Sequence, residues 1–96
     1  MSEDRAVVTV RLFGPLRAAV GRSEVQVRGG GRSLRETLAR FAEDHGDAVR
    51  RFIFDEQGSQ RLSVILLLNG EPVRESDQVR VNPGDEVGVL LPLAGG

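Results

Sequence analysis

The chain carries its last apolar run at Glu86-Val87-Gly88-Val89-Leu90-Leu91, directly after the turn Asn82-Pro83-Gly84-Asp85. A run rich in valine and leucine that follows a proline–glycine turn is typical of a β-strand. This run is long and apolar, which suits a strand in the middle of a sheet. We therefore predict that residues 86–91 form a central strand and that the other elements pack around it.

Two segments near the start of the chain predict an opening hairpin. Residues 7–13 are rich in β-branched side chains and stop at Gly14-Pro15, and residues 23–28 alternate between apolar and polar positions. Both patterns are typical of strands. We expect residues 16–21 to form the loop that joins them.

A helix is predicted to begin at Ser33. Ser33 precedes Glu36 by three residues, the capping-box spacing in which each side chain bonds a free backbone N–H of the first turn. The apolar positions that follow recur at helical spacing, and Gly46 marks the end of the pattern. These apolar positions are Leu34, Leu38, Phe41 and Ala42.

The second half of the chain predicts further strands. Residues 49–53 could form a short helical turn, and residues 63–68 have the continuous apolar pattern of a buried strand. Asn69-Gly70 is the strongest two-residue hairpin signal, so a short return strand is expected at Pro72-Val73.

This order of elements predicts an α+β fold of the β-grasp, ubiquitin-like type. The sheet would be mixed, with four to five strands, and one main helix would cross one of its faces. The last strand would lie parallel to the first, in the centre. We expect residues 1–96 to form a single domain, with residues 92–96 as a flexible C-terminal tail that ends in a diglycine.

Composition excludes several classes of function. The formal net charge of -1 argues against a nucleic-acid-binding surface, and the absence of cysteine removes disulfides, thiol nucleophiles and thiolate metal sites. All thirteen basic residues are arginine, so no side chain offers an ε-amine. No apolar run is long enough for a signal peptide or a membrane span, and a cytoplasmic location without membrane attachment is expected.

Few side chains could support catalysis. The single histidine, His45, lies at the predicted helix end, where a cap role is expected, and one histidine without cysteine predicts no metal site. The carboxylate pairs Asp55/Glu56 and Asp85/Glu86 lie beside turns, where charged groups are solvated. Gly29-Gly30-Gly31 lacks the spacing and the lysine of a nucleotide-binding loop.

The tail Pro92-Leu93-Ala94-Gly95-Gly96 has an unusual composition. Pro92 prevents further ladder pairing, and the side chains then shrink towards the diglycine. An extended segment with no side chain at its tip can enter a narrow channel of a partner protein. The tail therefore predicts that the carboxylate of Gly96 is presented to another protein.

The chain resembles the MoaD/ThiS sulfur-carrier family and the related small ubiquitin-like modifiers. The resemblance rests on five motifs in this order along nearly the whole chain. They are Val10-Arg11-Leu12-Phe13, Ser33-Leu34-Arg35-Glu36-Thr37-Leu38, Leu68-Asn69-Gly70-Glu71-Pro72-Val73, Pro83-Gly84-Asp85-Glu86-Val87 and Gly95-Gly96. In place of the Phe-Pro-Pro-like sequence common in the family, this chain has Leu90-Leu91-Pro92-Leu93.

The resemblance implies a carrier protein and not an enzyme. An ATP-dependent activating enzyme of the ubiquitin-activating type would adenylate Gly96, and sulfur from a persulfide donor would convert it to a thiocarboxylate. The extra length around residues 47–61 favours the molybdopterin-type or the modifier-type branch. In the molybdopterin branch, this chain would be the small subunit beside a larger synthase subunit. The chain itself would bind no cofactor, because ATP is used by the partner.

Two alternatives remain open at the level of sequence. In the first, Gly96 forms an isopeptide bond with lysines of target proteins, and both roles could coexist. In the second, the chain is a non-covalent β-grasp binding module. For a carrier, we expect the partner to contact the tail and the exposed face of the last strand. The expected contact residues are Val87, Val89 and Leu91, which form one parity of this strand, while the sequence leaves open that the other parity, Gly88 and Leu90, faces out.

Overall fold

The computed structural model describes residues 7–28 and 32–91. Its strands in this part of the chain are β1 (Val7–Leu12), β2 (Glu24–Arg28), β3 (Arg32–Ser33), β4 (Ile65–Leu68), β5 (Glu71–Val73), β6 (Arg80–Val81) and β7 (Glu86–Leu90). Its helices are α1 (Gly14–Val20), α2 (Leu34–His45) and α3 (Asp47–Ile53), with a 3₁₀ turn at Ser76–Gln78.

The main sheet has five strands in the order β2-β1-β7-β4-β5. β7 lies in the centre, parallel to β1 and antiparallel to β4. β1 and β2 form the predicted antiparallel hairpin, and β4 pairs with β5 across the predicted Asn69-Gly70 turn. The mixed sheet and the parallel pairing of the first and last strands are therefore confirmed. β3 and β6 form a separate two-stranded sheet.

The main helix begins as predicted, with both hydrogen bonds of the capping box. The Ser33 hydroxyl accepts from the Glu36 N–H at 3.0 Å, and the Ser33 N–H donates to a Glu36 carboxylate oxygen at 3.0 Å. At the other end, the N–H of Gly46 donates to the carbonyl of Ala42 at 2.9 Å. Gly46 has a φ of 95°, which favours glycine, and the chain continues directly into α3.

The loop expected at residues 16–21 is instead mostly helix. Pro15 lies in the first turn of α1, and Gly21, at a φ of 85°, caps the other end by donating its N–H to the Arg17 carbonyl at 2.8 Å. Leu16 is fully buried and anchors this helix to the core. A seven-residue helix is marginal in isolation, so tertiary packing stabilises α1 and no helical periodicity signals it in the sequence.

The core lies between one face of the main sheet and the helices. The strands contribute Val8, Val10, Leu12, Val25, Val27, Leu66, Val87 and Val89, and the helices contribute Leu16, Leu34, Leu38, Phe41, Val49 and Ile53. Within the described ranges, no helix has both the length and the apolar character needed to cross a membrane.

Candidate docking surface

The predicted reactive tail lies beyond the part of the chain that the structure describes. This applies to Gly96, Gly95, Ala94, Leu93 and Pro92. The description ends at Leu91, one residue after β7, where a partly buried side chain packs against the core. Among the described residues, those on the surface around β7 lie nearest to the tail and therefore bear most directly on function.

The prediction that Val87 and Val89 face a partner is wrong. Both side chains have no exposed surface. Val87 and Val89 lie opposite Val10 and Leu12 of β1, so their side chains share the inner face of the sheet. Leu91 has the same parity, and its partly buried side chain also packs on the core. The outward positions of β7 are Glu86, Gly88 and Leu90.

An apolar surface covers the outer face of the sheet near the end of β7. Ile65 lies directly opposite Leu90, and Leu67 lies opposite Gly88. All four positions therefore face outward, away from the core. Ile65 is 45% exposed, and Phe13, which follows β1, is 41% exposed. Leu67 and Leu90 are half-buried. We call Phe13, Ile65, Leu67 and Leu90 the outer apolar patch.

Gly88 forms the floor of the outer apolar patch. A Cβ atom placed on Gly88 would lie 3.5 Å from Cβ of Leu67 and 3.8 Å from Cε2 of Phe13. The two side chains therefore close around the bare backbone of β7. Contacts of 3.5 Å or more are ordinary packing distances, so the site has room for a methyl group, whereas a long side chain would have to project into solvent.

A groove continues the outer apolar patch around the edge of the sheet. It has a volume of about 480 Å³, and its apolar lining includes Ile65, Pro72 and Val73, while charged side chains such as Arg74 and Asp77 line the rest. Leu62, also on its wall, is fully exposed. A fully exposed leucine gains almost no buried area on folding, so an apolar partner segment could bury it here.

Charged residues border the outer apolar patch on the β1 side. The Arg11 guanidinium lies 2.8 Å from a Glu86 carboxylate oxygen and 3.8 Å from a Glu24 oxygen. These side chains are about half exposed, and such pairs contribute roughly 0–1 kcal/mol to stability. For a partner bound on the patch, a charged border around an apolar centre would orient the partner more than it would add affinity.

Asn69 holds the start of β7 in place. Its side-chain oxygen accepts from the Glu86 N–H at 2.9 Å, and its amide nitrogen donates to an Asp85 oxygen at 3.2 Å. Its backbone N–H donates to the Glu86 carbonyl at 2.7 Å. Asp85 in turn accepts from the Asn82 N–H at 2.8 Å. These bonds join the β4–β5 hairpin to the turn before β7, and so position the strand that precedes the tail.

The other candidate groups have structural roles. The Nδ1 atom of His45 lies 3.0 Å from the Phe41 carbonyl at the end of α2. Asp55 accepts from the N–H groups of Gln57 and Ser59, each at 2.9 Å, and thereby shapes its loop. In residues 7–28 and 32–91, no group of three or more His, Cys, Asp or Glu side chains could hold a metal ion.

Sequence reasoning missed Phe13, Ile65 and Leu67 of the outer apolar patch, and it placed Leu90 on the parity that it did not choose. One signal was present for Phe13: side chains alternate along a strand, so Phe13 shares the parity of the polar Thr9 and Arg11. Ile65 and Leu67 belong to a run that is apolar at both parities, and such a run does not reveal which side faces water.

A central strand, a helix across one face and an apolar surface beside the C-terminal strand define a ubiquitin-like protein with the β-grasp fold. The profile of the ThiS family matches residues 10–96. The chain belongs to the ThiS family. Among curated proteins, no sequence match to this chain is found.

Solved structures agree in fold. The solution structure of the small archaeal modifier protein 1 of Methanosarcina acetivorans has a TM-score of 0.80 and 30% identity, covering 95% of this chain and 97% of that protein. CysO in the BexX/CysO complex of Amycolatopsis orientalis has a TM-score of 0.73 and 25% identity, covering 93% and 99%. A Pyrococcus furiosus protein provisionally named molybdopterin converting factor, subunit 1, has a TM-score of 0.70 and 25% identity, covering 92% and 99%.

Proposed function

We propose that this chain is a sulfur carrier whose Gly96 carboxylate is activated by a partner enzyme. The observation that carries the proposal is the position of the outer apolar patch. Leu90 of the patch lies two residues before Pro92, where the diglycine tail begins. An enzyme that docks on the patch would therefore receive the tail directly in its active site.

The chemistry begins with adenylation, because a carboxylate is a poor electrophile at neutral pH. A carboxylate oxygen of Gly96 attacks the α-phosphorus of ATP, and pyrophosphate leaves. The terminal sulfur of a persulfide donor then attacks the acyl carbon, and AMP leaves. A thiol cleaves the S–S bond, so the thiocarboxylate stays on Gly96 and the donor and thiol end as a disulfide.

In this scheme the chain is a co-substrate and a docking surface, and the partner supplies the ATP site. The family relation and the BexX/CysO complex support a protein partner of this kind. We place the reaction in the cytoplasm, where ATP is available. The small subunit of a molybdopterin-synthase-type complex is the first pathway to test, and the similarity to the Pyrococcus protein supports that choice.

Protein modification is the second candidate. The 30% identity to a small archaeal modifier protein supports it. In this reaction a target lysine amine attacks the same acyl-adenylate, forming an isopeptide bond and releasing AMP. Because the chain has no lysine, conjugates would carry single copies unless the N-terminal amine accepts another. A non-covalent binding module is the third reading, and it predicts that the diglycine is dispensable.

Intact mass of the protein purified from its own host distinguishes these functions. A mass increase equal to one oxygen replaced by sulfur, lost when Gly96 is deleted, is expected for the carrier. Discrete Gly96-dependent conjugates with an unshifted free protein would indicate modification instead. The same measurement establishes whether Gly96 is the last residue, which the mechanism requires. If neither the mass increase nor the conjugates were found under conditions that demand sulfur transfer, both proposals would be contradicted.

A further inference from the structure

β2 forms one edge of the five-stranded sheet, and its backbone groups point in two directions. The Leu12 N–H donates to the carbonyl of Ser23, its direct partner, at 2.9 Å. Hydrogen-bonded pairs alternate along an antiparallel ladder, so Val25 and Val27 are the β2 residues bonded to β1. The N–H and C=O groups of Glu24, Gln26 and Arg28 therefore point away from the sheet.

The neighbouring pair of strands supports this assignment independently. The Thr9 N–H donates to the Asp85 carbonyl at 3.1 Å, on the side of β7. Thr9 is the register partner of Gln26, so its backbone bonds do not reach β2. Within residues 7–28 and 32–91, no other segment hydrogen-bonds to the outer edge of β2. Such an edge is a template for another strand.

The residues on this edge complement a second copy of themselves. β2 reads Glu24-Val25-Gln26-Val27-Arg28, with opposite charges at its two ends. An antiparallel pairing centred on Gln26 would place Glu24 opposite the second copy's Arg28 and, by symmetry, Arg28 opposite the second copy's Glu24. We propose that two copies of this chain associate through β2 and join their sheets into one of ten strands.

Alternative alignments of the two edges are less favourable. A parallel pairing would place Glu24 beside Glu24 and Arg28 beside Arg28, and like charges directly opposite each other destabilise a strand pair. A shift of two residues would leave one end without a partner and would set a charge against Gln26. Only the alignment centred on Gln26 uses the whole strand and places Glu24 and Arg28 opposite residues of opposite charge. It is also the two-fold symmetric arrangement that a dimer of identical chains favours.

The same alignment preserves the face pattern of the sheet. Val25 would lie opposite the second copy's Val27 on the inner face, and both valines are already buried in the monomer. Glu24, Gln26 and Arg28 are exposed on the outer face. The outer apolar patch lies on β4, β7 and the residue after β1, so the pairing leaves it uncovered. The inference therefore does not rest on the proposed function.

A single pair of five-residue strands buries less area than a stable interface, so the dimer is expected to form at high protein concentration. Sedimentation equilibrium on the full chain up to millimolar concentration should show a monomer–dimer equilibrium. Mixed isotope labelling should give an intermolecular Hα–Hα contact between Val25 and Val27, because the non-hydrogen-bonded pair brings these atoms close. A monomer throughout this range would overturn the proposal.

Charge reversal tests the alignment. Glu24→Arg and Arg28→Glu should each weaken association by roughly tenfold, because each places like charges opposite one another twice per dimer. The double variant should restore association to about the original level, since it restores both pairs. Gln26→Pro should abolish association while keeping the backbone hydrogen bonds to β1, because the Gln26 N–H points outward. It also removes the side-chain hydrogen bond from Gln26 to the Thr9 hydroxyl, and Gln26→Ala, which removes only that bond, is the control and should still associate.

Thermal unfolding of each variant separates folding from association. Arg28→Glu keeps the contact between Glu24 and Arg11, so its loss of association cannot come from that contact. Association that is unchanged in the single reversals, or that is not restored in the double variant, would overturn the proposed alignment.

Discussion

The side chain of Asn69 accepts a hydrogen bond from the backbone N–H of Glu86 at 2.9 Å, and so joins a hairpin turn to the first residue of the central strand. The same side chain donates to Asp85, and Asn69 has a φ of 51°, in the left-handed region that asparagine tolerates. One residue therefore shapes its own turn and aligns the strand that precedes the tail.

Replacing Asn69 should destabilise the fold. We expect Asn69→Ala to lower the free energy of unfolding by about 1–3 kcal/mol, because it removes two hydrogen bonds and a residue suited to positive φ. Urea denaturation measures this change. Asn69→Gly keeps the backbone conformation accessible and isolates the loss of the side chain. Gln78→Ala, on the exposed 3₁₀ turn, is the control and should change stability by less than about 0.5 kcal/mol.

The outward position of Gly88 makes it a sensitive test of docking. Gly88→Arg should lower kcat/KM for adenylation by the cognate activating enzyme at least roughly tenfold, about 1.4 kcal/mol, because a guanidinium would occupy the centre of the outer apolar patch. ATP–pyrophosphate exchange measures the rate. Gly88→Ala should retain most activity, since its methyl group meets only ordinary contacts.

Ala39→Arg is the matched control, because it introduces the same side chain at an exposed position of α2. It should leave adenylation unchanged. An equal loss of activity in both arginine variants would contradict docking on the outer apolar patch.

Substitutions on the inner and outer faces of the sheet should have different effects, one on stability and the other on activation by the partner. Val89→Ala removes two buried methyl groups and should lower the free energy of unfolding by about 2 kcal/mol. Ile65→Ala, on the outer face, should leave stability nearly unchanged and weaken activation. Thermal unfolding and ATP–pyrophosphate exchange on both variants check this. The reverse pattern would mean that the outer face is not the docking surface.

The capping box gives a prediction confined to the main helix. Ser33→Ala should cost about 0.5–2 kcal/mol of stability, because the Glu36 N–H loses its acceptor in the first turn of α2. Ser33→Asp should retain most of the stability, since a carboxylate accepts the same bond and interacts favourably with the helix dipole. Chemical denaturation of the three proteins checks the order, and equal losses in both variants would contradict the capping role.

Local patterns in the sequence determined much of the architecture. Residues 33–36 specified a helix start through a contact three residues apart, and Asn69-Gly70 specified a hairpin through the conformation that two residues adopt most easily. The apolar run at residues 86–91 was sufficient to predict a central strand beside β1. The helix start and the hairpin depend on neighbouring residues, and this is why they could be predicted. The pairing of β7 with β1 joins distant segments, and it was predicted from the order of the elements and the apolar character of the last strand.

Tertiary structure alone decided which face of β7 is available to a partner. Val87, Val89 and Leu90 are all apolar, so nothing in their own chemistry separates the inner side from the outer side. The side was set by contacts with residues far away in the chain: β1 places the two valines beside Val10 and Leu12 on the buried face, and β4 brings Ile65 beside Leu90. Helix α1 was decided in the same way, because the burial of Leu16 stabilises seven residues that would not be helical alone.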